Sequence, residues 1–236
     1  MLDFIKFVLN KKKLNNITIY NKSLLFIILF LFSLLTVFFN AYLVNFLEDH
    51  NLMMSPKKID INYDKNYKYF LITCLIVPFS EEIISRLWLK FNPKNIALSL
   101  SFLSFFLFYF VIDNNKLNSF FDNPFELIIS LILTILFFII VKYILTFYQT
   151  SISQIYFRKT YNLFICSALL FSILHLSKFN FNDFNTILII PILLFPFFVA
   201  GLILGYLRLK LGFIYDVLFH IIQNSFFITL KLLIHR

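Results

Sequence analysis

Apolar runs of helix length alternate with short polar stretches along this chain, and the alternation by itself predicts the elements. Residues 1–10 form a short apolar and basic stretch suited to a membrane interface, closed by Lys11, Lys12 and Lys13. The first long run starts after Lys22 and continues to about Phe46. It lacks the small-residue cleavage pattern of a secretory signal, so it reads as a retained first transmembrane helix. Residues 48–66, with Pro56, are the longest polar connection. A second run spans 67–90, and Asn92 and Pro93 break the chain before a third at 95–112. After an Asn-rich loop at 113–123, Pro124 stands where a proline commonly opens a helix, and a fourth run reaches 148. A polar linker at 149–160 ends in Arg158 and Lys159. The fifth run begins near Tyr161 and fades through Lys178, Asn180, Asn182 and Asp183; the sixth spans 186–206 with Pro191 and Pro196 inside it, and the seventh spans 211–234. The predicted fold is all-α, a polytopic membrane bundle of about seven transmembrane helices, with no soluble domain and no internal repeat.

Composition strengthens that class. Of 236 residues, 60% fall in the hydrophobic set and 14% are charged, with a mean hydropathy of +0.85. A soluble domain carries about 25% charged residues. The excess of 21 Lys and Arg over 12 Asp and Glu would suggest nucleic acid in a soluble chain; here it reads as topology and as attraction to anionic headgroups. With seven helices and the amino terminus inside, twelve positive residues fall on the inner side, among them Lys6, Lys11, Lys12, Lys13 and Lys22, and eight of the twelve acidic residues fall outside. That distribution predicts a cytoplasmic amino terminus. Cys74 and Cys166 both lie in apolar segments as small buried hydrophobes, and their spacing suggests neither a disulfide framework nor a metal knuckle.

The second run then poses a problem, because VPFSEEIISRLWLK places two carboxylates and a guanidinium inside it. Unpaired charge at that depth costs several kcal/mol. On a helix Glu82 and Arg86 are four apart and share a face, while Glu81 points about 100° away. An ion pair of Glu82 with Arg86 would hold the helix and leave Glu81 to act. Pro78 removes a backbone donor and should kink the helix just before the carboxylates. Taken alone, EExxxR reads first as a structural salt-bridge cluster, and what changes that reading lies further down the chain.

Further polar groups sit on later runs. His175 lies in LLFSILHL, where a lone histidine is more often a satisfied packing residue than a catalyst. In DVLFHIIQNS, His220 and Asn224 are four apart on one face, an arrangement that can donate two hydrogen bonds toward one oxyanion. A carboxylate in low dielectric is a stronger base than in water, and a histidine can hold a water molecule or a metal against it. Glu81, Glu82, Arg86, His175, His220 and Asn224 could thus build a site that hydrolyses a peptide bond. A proton or ion pathway would use similar residues strung at several depths, and the third and fourth runs show no such chain. The second, fifth and seventh helices are expected to enclose a polar cavity, with the first at the periphery.

EExxxR at Glu81 to Arg86, FxxxH at Phe171 to His175 and HxxxN at His220 to Asn224, in this order on separate apolar runs, resemble the motifs of the CPBP family. That family comprises CAAX prenyl endopeptidases and bacteriocin-processing or self-immunity membrane proteins, and is also called Abi. The stretch GLILGYLRLKLGFIYDVLFHIIQN is similar to the family's last conserved block, and the resemblance covers roughly 75–232. It implies a CAAX-protease-like core at 67–236, with the helices of 95–148 intervening, preceded by a segment at 1–22 and a first helix and outer loop at 23–66. It further implies an intramembrane endopeptidase in which Glu81 activates water with the aid of His175, Glu82 and Arg86 assist or support, and His220 with Asn224 forms the oxyanion hole. The substrate implied is a membrane-associated peptide or protein, with no nucleic-acid partner. The glutamate mechanism requires no cofactor; HExxH is absent, although Glu81, His175 and His220 could supply three zinc ligands. Two features depart from the family pattern: two helices separate EExxxR from FxxxH, and Leu87 replaces the usual small residue. A catalytically silent immunity or scaffold protein on the same framework is the alternative, and a small ion-coupled transporter a more distant one.

Overall fold

The computed structural model describes residues 2–10, 19–50, 57–58, 70–112, 124–180 and 189–234. The basic cluster Lys11 to Lys13, most of the polar connection at 48–66, the Asn-rich loop at 113–123 and the expected start of the sixth helix at 186 lie outside those residues. Eight α-helices are described: α1 Leu2–Asn10, α2 Ile19–Asp49, α3 Val77–Arg86, α4 Pro93–Ile112, α5 Pro124–Phe147, α6 Gln149–Leu174, α7 Ile190–Lys210 and α8 Phe213–Ile234. A π-turn at Ile72–Ile76 precedes α3, and 3-10 turns follow α3 at Leu87–Leu89 and α6 at His175–Lys178. The only strands among the described residues are β1 Lys57–Lys58 and β2 Phe179–Asn180, an antiparallel pair in which Lys57 faces Asn180. The all-α membrane class stands.

Four described helices are long and apolar enough to cross a membrane: α2 over Asn21–Asp49, α5, α7 and α8 over Phe213–Leu233. The sequence pattern predicts about seven, and the difference has local causes. The run at 67–90 yields only a ten-residue α-helix, with three charged residues, between a π-turn and a 3-10 turn. The expected linker at 149–160 is helical and forms the polar first half of α6, including Arg158 and Lys159. Aromatic packing secures it, since Phe91 lies 5.3 Å from Tyr156 and 6.4 Å from Phe157 by ring centroids. Polar residues of good helix propensity do not by themselves end a helix when one face has a partner.

The chain divides into two compact units, one formed by Met1–Phe79 with Tyr161–Arg236 and the other by Ser80–Thr160. In the second unit α4 and α5 pack along each other. Apolar residues surround both helices, so small residues rather than hydrophobicity choose the contact side. Ala97, Ser99, Ser101, Ser104 and Ser130 are the buried positions, and Ser101, Ser104 and Ser130 return their hydroxyls to carbonyls of their own helix. Large side chains such as Ile132, Ile135 and Ile139 on α5 stay exposed, as suits lipid contact.

In the first unit α7 is the spine, buried without interruption from Val199 to Arg208. The stripe Leu25, Leu29, Ser33, Thr36 and Asn40, at helical spacing, is buried on α2, which packs on α7. The first helix is thus built into the core along that face, not set at the periphery. Phe4 and Phe7 of α1 pack edge-on against Tyr206 and Phe164, and the Tyr161 hydroxyl donates to the Val8 carbonyl at 2.6 Å. The amino-terminal segment therefore docks on protein with one face while Ile5 and Leu9 remain exposed. Cys74 is buried as expected; Cys166 is exposed, on the outer side of α6.

Two glycines permit this arrangement. Gly212 takes φ 116° in the short link between α7 and α8, and its N–H closes the end of α7 on the Leu207 carbonyl. Gly201 lets α7 approach α6 so closely that a Cβ there would sit 2.9 Å from the Ala168 Cα and 3.0 Å from its carbonyl oxygen. Both neighbours are backbone atoms and cannot rotate away. Gly201→Ala should therefore destabilise the unit by about 1–3 kcal/mol, lowering the melting temperature in detergent by about 2–4 °C per kcal/mol. An unchanged melting curve would mean the helices do not meet this closely.

Candidate active site

The carboxylates owe their setting to Pro78. Proline has no N–H and its ring clashes with the carbonyl four residues before it, so a regular α-turn cannot continue through that point. The chain answers with the π-turn, in which the Val77 N–H donates to the Ile72 carbonyl. That shift takes from Thr73 O its usual donor, Val77, and the next candidate is Pro78, which has none to give. The Asn224 side-chain amide reaches the Thr73 carbonyl at 3.5 Å instead. Buried backbone carbonyls in a membrane segment need such replacements.

Beyond Pro78, α3 presents its charged residues in two directions. Glu82 and Arg86 are both fully buried, and Arg86 Nη1 donates to Glu82 Oε1 at 2.5 Å. The same Nη1 donates to Ser85 Oγ at 3.0 Å, while the Ser85 hydroxyl donates to the Glu81 carbonyl. This serine back-bond joins the ion pair to the backbone of the turn that carries Glu81. From α4, Ser99 Oγ donates to the Ile84 carbonyl at 2.8 Å and ties the same turn to its neighbour. Glu81 itself is half-buried. The predicted pairing of Glu82 with Arg86 is therefore present, at the i to i+4 spacing that the sequence required.

The imidazoles form a second group, in the unit built on α7. His175 is the first residue of the 3-10 turn after α6, 4% exposed, and its Nδ1 lies 2.8 Å from the Phe171 carbonyl. A carbonyl can only accept, so Nδ1–H is the donor in this contact. His220 is equally buried on α8. The Phe171 ring touches both, with centroids 4.6 Å from His175 and 5.4 Å from His220. Asn224 follows one turn after His220 on the same face and is half-buried. Gln223 and Phe219, on adjoining faces, fix the rotation of α8: Gln223 Nε2 donates to Ser33 Oγ at 3.4 Å and Phe219 packs on Phe26 at 4.9 Å.

All six residues singled out from the sequence are thus described, three on α3 and three around α8 and the end of α6. Sequence reasoning overlooked Ser85, Thr73 and Phe197, whose ring lies 4.2 Å from that of His175. Ser85 had a signal, being the small residue four after Glu81. Thr73 had none, because its part is played by a carbonyl. Among the described residues, no three or more His, Cys, Asp or Glu side chains gather into a group that would hold a metal ion.

Residues 64–226 match the model of the family described as type II CAAX prenyl endopeptidase Rce1-like. No curated protein and no solved structure matches the chain. The matched span covers well over half of the chain and contains Glu81, Glu82, Arg86, His175, His220 and Asn224, whereas α1 and α2 precede it. The chain belongs to the Rce1-like family of type II CAAX prenyl endopeptidases, and it is a multi-pass membrane peptidase.

Proposed function

We propose that this peptidase hydrolyses a peptide bond in a membrane-associated peptide or protein, using Glu81 as general base. The reading rests chiefly on the unequal setting of two adjacent carboxylates. Glu82 is fully buried and ion-paired with Arg86, which suits a support, whereas the half-buried Glu81 suits a group that must meet water and substrate. In this mechanism Glu81 takes a proton from a water held by His175, and the water oxygen attacks the substrate carbonyl. His220 and the second N–H of the Asn224 amide donate to the oxyanion that forms. The proton on Glu81 passes to the departing nitrogen as the C–N bond breaks, leaving a carboxylic acid and an amine, and the acid then releases its proton to water. Residues 67–236 carry the reaction, with the two helices of 95–148 intervening in the sequence between EExxxR and FxxxH. No step is assigned to a metal.

The mutational order tests these roles, with the precursor that accumulates in membranes lacking the protein as substrate. Glu81→Gln should lower cleavage by several orders of magnitude at normal abundance. Asn224→Ala should cost about 10²–10³ in rate and His220→Ala at least as much. Glu82→Gln should behave differently, since it strands Arg86 in a buried site at a cost of about 3–5 kcal/mol; its defect should appear first as lost abundance or thermal stability. Full biological function in both Glu81→Gln and His175→Ala would replace proteolysis with a silent immunity or scaffold role.

Metal removal addresses the water. Cleavage should persist after exhaustive chelation; activity lost on chelation and restored by zinc would mean that a metal, not Glu81 with His175, holds the nucleophile.

The amino terminus is assigned to the cytoplasmic side, from Lys6, Lys11, Lys12, Lys13 and Lys22 flanking the first span. A cysteine placed at the amino terminus should react with an impermeant maleimide only after the membrane is opened. Labelling of intact cells would reverse the assignment.

A further inference from the structure

The buried polar residues of α2 are not all engaged. Ser33 Oγ donates to the Phe30 carbonyl at 2.9 Å and Thr36 Oγ1 to the Ser33 carbonyl at 2.7 Å, so both hydroxyls are satisfied within the helix. Asn40, one turn further on, is 8% exposed, and its side-chain amide has no hydrogen-bond partner among the described residues. An amide withdrawn from water is costly to leave in that state. Because α2 precedes the matched span of 64–226, Asn40 belongs to none of the three motifs.

Helix register places Asn40 beside the imidazole group. α2 and α8 run in the same direction: Lys22 lies over the Tyr215 ring, Phe26 packs on Phe219, Phe30 on Phe226, and Ser33 accepts from Gln223, the neighbour of Asn224. Asn40 stands two turns beyond Ser33 on the same face, about 10 Å along the axis. One turn further, Val44 packs on the cluster of Phe179, Ile189 and Leu193. Phe197 packs on that cluster too, and its ring lies 4.2 Å from that of His175. The amide is thus bracketed by the levels of Asn224 and His175.

Substrate chemistry supplies the missing partner. A peptide bond is open to attack only where its chain is unwound, and an unwound segment in a membrane bundle has N–H and C=O groups that its own backbone does not satisfy. The N–H and C=O of one extended residue point to the same side, as in a hydrogen-bonded strand pair. An asparagine amide answers both, with N–H groups to donate and an oxygen to accept.

We propose that Asn40 is a substrate-binding residue, whose amide clamps the main chain of an extended substrate segment by donating to the carbonyl and accepting from the N–H of one residue. At about 3.3 Å per extended residue, an offset of about 10 Å sets the clamp about three residues from the bond cleaved. This clamp presupposes the proteolytic reading above and adds the part of the substrate that α2 recognises.

The test uses the full-length protein in detergent micelles and synthetic peptides spanning the cleavage site of the accumulated precursor. Glu81→Gln serves as the background, so that the peptides stay uncut while their Kd is measured. Adding Asn40→Leu, which keeps the bulk and removes both hydrogen-bonding groups, should raise Kd about tenfold. The melting temperature should stay unchanged or rise, because an apolar group then replaces a buried amide. On the peptide side, an ester in place of one peptide N–H is walked through the residues on either side of the cleaved bond. One ester, about three residues away, should weaken binding about tenfold with Asn40 present and no further in Asn40→Leu.

An unchanged Kd in Asn40→Leu, or a uniform response to the esters, overturns the clamp even where Glu81→Gln is inert. A lowered melting temperature in Asn40→Leu means that the amide is satisfied within the fold, by water or a neighbour, and overturns it as well. Activity in Glu81→Gln, or no precursor accumulating without the protein, removes the proteolytic reading and the clamp with it.

Discussion

The arrangement of α3 follows from one constraint, that a guanidinium and a carboxylate cannot enter an apolar segment apart. Arg86 and Glu82 satisfy it by pairing across one turn, both fully buried. An exposed pair of this spacing would contribute a few tenths of a kcal/mol, but a buried pair acts differently: its net stabilisation is small while the cost of separating it is large. The pair therefore fixes the rotation of the helix. Once Glu82, Ser85 and Arg86 face inward, Glu81 has to point about 100° round, and its half-buried state is a consequence of its neighbours' burial. The specificity of the charged segment thus comes from what would be lost by turning it.

A second constraint shapes α7, where lipid gives no reason to bury one apolar face over another. Helix contacts in such surroundings depend on close approach and on polar groups that find partners. Gly201 against Ala168, the serines of α4 and α5, and Ser33 with Gln223 each mark a contact side. The bulky Ile, Leu and Phe residues of α5 are left outward. This inverts the rule for soluble helices, in which the large apolar residues mark the core.

The same inversion explains which parts of the structure could be read from the chain. Charges in apolar runs are expensive, so Glu82 and Arg86 announced their pairing, and His220 with Asn224 announced a shared face. The number of crossings was harder to read. Hydropathy counted the run at 67–90 as one helix, while Pro78 imposes a π-turn and the back-bonded Ser85 is followed by a 3-10 turn, leaving ten α-helical residues. Polar residues at 149–160 looked like a linker because their partner, Phe91, is distant in sequence. The docking of Phe4 and Phe7 on Tyr206 and Phe164 was hidden for the same reason.

Both groups of candidate catalytic residues stand beside an irregular turn, and the physics of the membrane interior accounts for that placement. A continuous α-helix satisfies its own backbone and offers nothing to a neighbour. A broken one leaves carbonyls whose donors must come from side chains or water, and those donors are thereby held in place. At Thr73 the missing donor is replaced by the Asn224 amide, so the proline before the carboxylates also restrains a side chain on α8. At Phe171, one turn before α6 gives way to a 3-10 turn, the carbonyl accepts from His175 Nδ1 and orients that ring. In each case a carbonyl beside a broken turn orients the polar group that the proposed reaction needs. In the proposed mechanism Pro78 therefore serves the chemistry as well as the fold, because it leaves the Thr73 carbonyl to the Asn224 amide.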